Sequence, residues 1–239
     1  MKNQLKTLKT IALATSIVVA GGLIGTANAN PSVDQVKLLT ANFAPRQVVQ
    51  VEAGDFHFKP GQVAPIHTHD APAIGYVAKG MIIYQVEGEK PQILREGDAF
   101  FEPTDARILR FDNASATEEA IFIDFNLEQE NEPFIVFEEA PKEHIDRRTL
   151  PTVTLKDEVV DQVEVYSNRI APSADLELTG KSPTLGLVAQ GIVEVQFEGA
   201  EPLRVSAGGT FALPTADSRV SIANVSDEVS AKVITFQLN

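Results

Sequence analysis

The feature that most restricts the fold is a repeat: the order of backbone-shaping residues in one half of the chain returns in the other at a constant offset of 111 positions (183 − 72). Pro72, Gly75, Gly80, Gly88, Pro91, Gly97 and Pro103 are matched by Pro183, Gly186, Gly191, Gly199, Pro202, Gly208 and Pro214. Phe100, Asn113 and Phe125 meet Phe211, Asn224 and Phe236 in the same register. Upstream the match weakens, but Leu39 still meets Leu150, and Val48 and Val49 meet Val159 and Val160. Glycine opens dihedrals closed to other residues and proline fixes φ, so their recurrence in register means one backbone plan used twice. The chain therefore divides into two homologous units, 31–135 and 136–239.

Within each unit, short runs of β-branched and aromatic residues, such as MIIYQVEG, AFFEP, ARILRFDN and EEAIFIDFNL, are separated by Gly, Pro, Asn and Asp clusters. This spacing predicts strands and turns, and no window carries an amphipathic helix of ordinary length. The connector NLEQENEPFIVFEEAPKEHIDRRTL has room for a short helix. The expectation is an all-β sandwich or barrel, built twice.

The stretch GQVAPIHTHDAPAIGYVAKG places Gly61, His67, His69 and Gly80 in a spacing that Gly97, Asp98 and Pro103 continue. This resembles the two motifs of the cupin superfamily and covers nearly all of the chain beyond residue 30. The resemblance implies a bicupin: two tandem double-stranded β-helix (jelly-roll) barrels with the site inside. It also implies a metal held by three histidines and a glutamate, and here the chain departs from the family. Ala73 occupies the glutamate position, Asp105 replaces a glycine, and Ile108 occupies the third histidine's place. In the second unit the histidine positions hold Leu178 and Gly180, and Arg219 is the counterpart of Ile108, so no site is recognisable there.

Side chains at i and i+2 of a strand share a face, so His67 and His69 present both imidazoles to one spot. Two neutral ligands seldom suffice; zinc takes three or four protein groups, and non-haem iron takes two histidines and a carboxylate. Glu102, just before Pro103, is the leading candidate to complete the set, ahead of Asp105, Asp70 and His57. His57 alternates with Phe56 and Phe58, which turns it away from them toward solvent, and His144 is read as exposed among the charges of the connector. Tyr76, Tyr84, Gln85 and Arg107 are candidate ligand-pocket residues, with at most one of the adjacent Tyr84 and Gln85 facing inward. Their counterparts Leu187, Val195, Gln196 and Ser218 are on balance less polar, so the second unit is expected to stabilise the first or to form an interface.

Lys2, Lys6 and Lys9, a following apolar run, and the triplet Ala27, Asn28, Ala29 have the layout of a signal peptide over residues 1–29. Cleavage there leaves 17 basic (20 − 3) and 33 acidic residues, a net charge of −16. The expected product is secreted and periplasmic, and its charge disfavours nucleic acid and anionic membrane surfaces as partners. With no cysteine, thiolate ligands and disulfides are excluded. Neither a GxSxG elbow nor a phosphate loop is present. Three readings stand for the histidine pair. One is a divalent metal centre (iron, manganese, nickel or zinc) serving an oxygenase, isomerase or lyase on a small molecule. The others are a metal-free pocket for a small organic ligand and a non-catalytic barrel kept for packing or association. Formation of a homodimer through barrel edges is left open.

Overall fold

A computed structural model describes residues 32–179, 182–213 and 219–239, so the expected leader 1–29, Gly180 and Ser218 lie outside the described residues. The first repeat comprises β1 (Val33–Phe58), β2 (His67–Thr68), β3 (Ala73–Lys79), β4 (Met81–Val86), β5 (Gln92–Arg95), β6 (Ala99–Glu102), β7 (Ile108–Asn113) and β8 (Ala120–Glu128). Two short strands follow, β9 (Val136–Phe137) and β10 (Asp146–Thr149). The second repeat comprises β11 (Val153–Ile170), β12 (Asp175–Thr179), β13 (Thr184–Gln190), β14 (Ile192–Phe197), β15 (Leu203–Ser206), β16 (Thr210–Leu213), β17 (Arg219–Asn224) and β18 (Ala231–Leu238). The fold is all-β, and among the described residues no helix is long and apolar enough to cross a membrane.

The repeat read from the sequence is a repeat of strands, since β3 to β7 recur as β13 to β17 with every boundary shifted by 111 residues (184 − 73). Two devices explain the shared shape. Gly75 and Gly186 allow a phenylalanine to lie on the backbone: a Cβ on either would stand 2.1 Å from the ring of Phe100 or Phe211. Asn113 Nδ2 reaches the carbonyls of Phe58, Lys59 and Glu118 at 2.8–3.1 Å, and Asn224 repeats this with Ile170, Ala171 and Val229 at 2.8–3.2 Å. Each asparagine therefore ties a strand end to two loops through backbone groups that burial would otherwise leave unpaired.

Each repeat is a two-layered jelly roll whose sheets are not closed. One layer is shared: β16-β13-β18-β11-β1-β8-β3-β6 run in a single sheet, with β10 also on β1. The outer layers are β5-β4-β7-β2-β9 for the first repeat and β12-β17-β14-β15 for the second. The long antiparallel β1–β11 ladder, from Val33 opposite Ile170 to Val51 opposite Val153, fuses the halves.

Three cores result. Ile74, Tyr76, Phe125 and Leu127 pack with Leu185, Leu187, Phe236 and Leu238 between the repeats. Each such side chain contributes about 1.5–3 kcal/mol on full burial, so the repeats share a true core. The first repeat's interior is aromatic, with Phe56, Phe58, Phe100, Phe111 and Phe122. The second's is mainly aliphatic, around Val188, Val193, Val195, Val220 and Ile222.

The connector forms no helix. Its β9 pairs with β2 and its β10 with β1, so residues 136–149, which the sequence repeat groups with the second unit, cover the first barrel. Apolar Phe134, Ile135 and Ile145 dock onto the aromatic interior, which holds the segment extended.

Candidate metal centre

β2 brings His67 into the sheet between Ile108 on β7 and Phe137 on β9. Alternation turns His67 and His69 inward, where they are 3% and 1% exposed. Each ring is oriented from behind: His67 Nδ1 lies 2.8 Å from the Pro65 carbonyl and His69 Nδ1 lies 2.9 Å from the Phe134 carbonyl. A carbonyl only accepts, so both Nδ1 atoms carry hydrogen and, in the neutral rings, both Nε2 lone pairs face the interior.

Glu102 closes the arrangement from β6. Its Oε1 is 3.5 Å from His67 Nε2 and its Oε2 is 3.2 Å from His69 Nε2. All three ligating atoms lie within 4.8 Å of one another, the single such set of three among the described residues. His69 Nε2 and Glu102 Oε1 are buried without a hydrogen-bond partner. Two nitrogen donors and a carboxylate, buried and convergent, with two of their atoms left without a hydrogen bond, fit a divalent cation of the kind that two histidines and a carboxylate bind elsewhere.

Burial opposes charge on both partners, but the pair overrides it. Desolvation would lower His69, yet the Glu102 carboxylate raises it to about 9. Glu102 would rise by burial, and the imidazoles of His69 and His67 instead hold it below the usual carboxylate range.

Sequence reading missed a fourth group, Asp124. It lies on β8, 2% exposed, lines the same cavity and has an Oδ1 without a partner. Burial and then the charge of Glu102 push it up to about 7. The available signal was an acid in the apolar run AIFIDFNL where the second repeat has Thr235.

The remaining candidates lie elsewhere. Tyr76 faces the core between the repeats. Tyr84 packs against Phe100 and Phe111 with its hydroxyl donating to the Phe101 carbonyl at 2.5 Å, beside the cavity but not in its lining. Gln85 points outward to the Glu89 carbonyl, and Arg107 pairs on the surface with Glu87 and Glu138. The pocket expected from Tyr76, Gln85 and Arg107 is therefore not the one formed, because strand parity directs Tyr76 and Gln85 away from the histidines and Arg107, in the loop before β7, is held by Glu87 and Glu138. Asp105 is exposed in a turn at φ 60°, where its N–H donates to the His69 carbonyl. The Asp70 carbonyl accepts from Arg46. His57 does face away from Phe56 and Phe58, but it lies between Asp55 and Glu119 with its side chain only 12% exposed. His144 is exposed. In the second repeat, Leu178 is half-buried and Leu213, fully buried, stands where Glu102 does.

The cavity is small. Its free volume is about 20 Å³, room for about one water molecule. Phe56, Phe122, Ile135, Phe137 and Ile145 form its apolar walls. Outside Phe56, Ile135, Phe137 and Ile145 lies an open vestibule of about 460 Å³, edged by Lys142, His144 and Arg147.

Comparison with known proteins places these observations. Residues 47–126 match the cupin domain family. Oxalate decarboxylase from Bacillus subtilis superposes with a TM-score of 0.60 at 13% identity, covering 86% of this chain and 76% of its own. Salicylate 1,2-dioxygenase from Pseudaminobacter salicylatoxidans gives 0.56 at 14% identity, covering 80% and 71%. AerE from Microcystis aeruginosa gives 0.57 at 14% identity, covering 85% and 98%. No curated protein matches in sequence.

Proposed function

We propose, from the premise that the first repeat is a cupin domain in a chain of cupin fold, that His67, His69 and Glu102 hold a divalent metal ion in the N-terminal barrel. The observation that carries this reading is the fixed orientation of both imidazoles by backbone carbonyls, which leaves two lone pairs and a carboxylate aimed at one buried point. A metal in that place supplies Lewis-acid or redox chemistry with coordination positions free for water and substrate.

The chain's own residues do the rest. Pro65 and Phe134 hold the ring tautomers, Glu102 offsets positive charge, and the phenylalanines exclude bulk water and strengthen each electrostatic contact. The reaction class is an oxygenase, isomerase or lyase step on a small organic molecule, a reading supported by the dioxygenase and the decarboxylase that share the fold. Iron, manganese, nickel and zinc all accept this donor set. The nearly filled interior favours a second reading, a cupin that binds a small ligand or ion without turnover. The second repeat serves in either case as the partner that completes the shared core.

We place the protein, after removal of residues 1–29, outside the cytoplasm in a periplasm. Detection of a mature form beginning at Asn30 tests that placement. Metal content of protein purified without chelator or histidine tag tests the centre itself. Near one equivalent in the wild type, lost in His67→Ala/His69→Ala, supports it; protein that stays metal-free after reconstitution with each of the four metals refutes it.

A further inference from the structure

Asp124 is flanked on both sides by positions that the packing reserves for glycine. Its cross-strand partners are glycine on both sides, Gly54 on β1 and Gly75 on β3. Neither position accepts a side chain: a Cβ on Gly54 would lie 2.7 Å from the Phe56 ring and 2.9 Å from Arg147 Nε, and one on Gly75 2.1 Å from the Phe100 ring. β3 separates β8 from β6, and on its inner face Ala73 stands opposite Glu102 and Gly75 opposite Asp124, with the Phe100 ring lying on Gly75.

The second repeat shows what a merely structural residue does here. Its counterpart, Thr235, is also fully buried, but its Oγ1 is satisfied by Asn168 Nδ2 at 3.1 Å. Asp124 has a buried, unpartnered oxygen where the same backbone elsewhere provides a partner. An unpaired buried acceptor destabilises the fold, more so when charged, and so calls for a partner that completes it.

The polar lining consists of four groups: His67, His69, Glu102 and Asp124. With Nδ1 of each imidazole committed to a carbonyl, a cation at the convergence point would occupy both Nε2 atoms and Glu102 and leave Asp124 as the one uncommitted polar group of the lining. Three of the four converge on one point, and the fourth lines the same cavity, whose whole free volume is about that of one water. A divalent charge at the convergence point would offset the repulsion from Glu102 and favour the carboxylate form of Asp124.

Building on the metal-centre reading, we infer that Asp124 selects the co-ligand of this site: it accepts a hydrogen bond from a small molecule presenting an O–H or N–H proton and excludes anions of the same size. Water and a hydroxyl group of a small organic substrate meet that requirement. A carboxylate or halide placed there would set a second anion against Asp124.

Fluoride matches water in size and carries the charge that Asp124 rejects. The test loads full-length mature protein with Mn²⁺, measures the bound metal, and then follows fluoride binding by ¹⁹F relaxation and water displacement by ¹H relaxation. Wild type, Asp124→Asn and Asp124→Thr are compared, the last carrying the residue that folds at this position in the second repeat. The expected result is full metal occupancy in all three, with fluoride bound at least tenfold more tightly by both variants than by wild type. Equal fluoride affinity in all three proteins overturns the inference while leaving the metal centre intact. Loss of Mn²⁺ in both variants also overturns it, by making Asp124 a ligand. Failure of the wild type to take Mn²⁺ or any of the other metals sinks the metal-centre reading, and this inference with it.

Discussion

Ala73 and Glu102 stand directly opposite one another in the antiparallel ladder between β3 and β6. Ala73 is the position at which the family resemblance implies a glutamate, and Glu102 is the glutamate present. Directly opposed residues have Cβ atoms about 4.5–5.5 Å apart on one face, so a carboxylate on either strand reaches nearly the same point. The chain has moved its anion across one strand and kept it beside the same two histidines.

The transposition is reversible by design. Glu102→Ala should weaken metal binding by about 100-fold or more, beyond the ~10–100-fold that outer partners of a metal site are worth. Ala73→Glu/Glu102→Ala should recover most of the loss. Competition against a chromophoric chelator measures both; a double variant no tighter than Glu102→Ala would show that the two positions are not equivalent.

Ile108, which lies opposite His67 in the β2–β7 pairing, marks the other vacant ligand position. Ile108→His should add a third imidazole and tighten binding of zinc or nickel. It should also destabilise the metal-free protein by about 1–3 kcal/mol, because a fully buried apolar side chain becomes polar. Denaturation midpoints with and without metal read both effects.

The metal-free protein should lose stability as the solution becomes alkaline. His69 is raised from 6.5 to about 9 by Glu102 against the cost of burial, so its contribution is full below pH 6.5 and disappears as the pH rises through 9. Asp124 is raised from 3.8 to about 7 by burial and by Glu102, so its ionisation also disfavours the folded state as the pH rises through that range. Glu102 acts in the opposite direction, its contribution present above 4.5 and lost in acid. Urea titrations of chelated protein should show a fall of about 1–3 kcal/mol between pH 6 and 9, since one pKa unit corresponds to ~1.4 kcal/mol. A flat profile would mean that His69 is not paired with Glu102 in solution.

Phe125 and Phe236 meet between the repeats with ring centroids 4.7 Å apart. Phe236→Ala should cost about 3–5 kcal/mol and loosen the first repeat as well as the second. Unfolding followed at Tyr84, in the first repeat, should then shift together with global circular dichroism. Independent transitions would contradict a shared core.

The sequence made the repeated strands legible because turns depend on local chemistry: Gly80 and Gly191 adopt φ of 78° and 83°, which other residues resist. His67 and His69 were legible for a similar reason, as i, i+2 alternation is a local rule. Glu102 was reachable through its place before Pro103. Asp124 was not, because its role depends on Gly54 and Gly75 lying opposite it, and strand neighbours are a property of the whole sheet. Tyr76 misled for the same reason: only the β3–β8 pairing decides which face it takes. The connector was hard to place because its apolar residues are too few to reveal their periodicity, and their partners lie far back in the chain, as Phe56 does from Phe134 (134 − 56 = 78).

β6 ends the shared sheet, hydrogen-bonded to β3 alone, whereas both histidine rings are fastened to main-chain carbonyls. A terminal strand of four residues opens more readily than one flanked on both sides. The three arms of the proposed centre therefore differ in how firmly they are held: a cation there would lose Glu102 first and the imidazoles last, and an incoming one would meet them in the reverse order. Exchange at such a centre would then be paced by the fraying of one short edge, and a neighbouring chain that paired with that edge would slow the traffic without touching the cation.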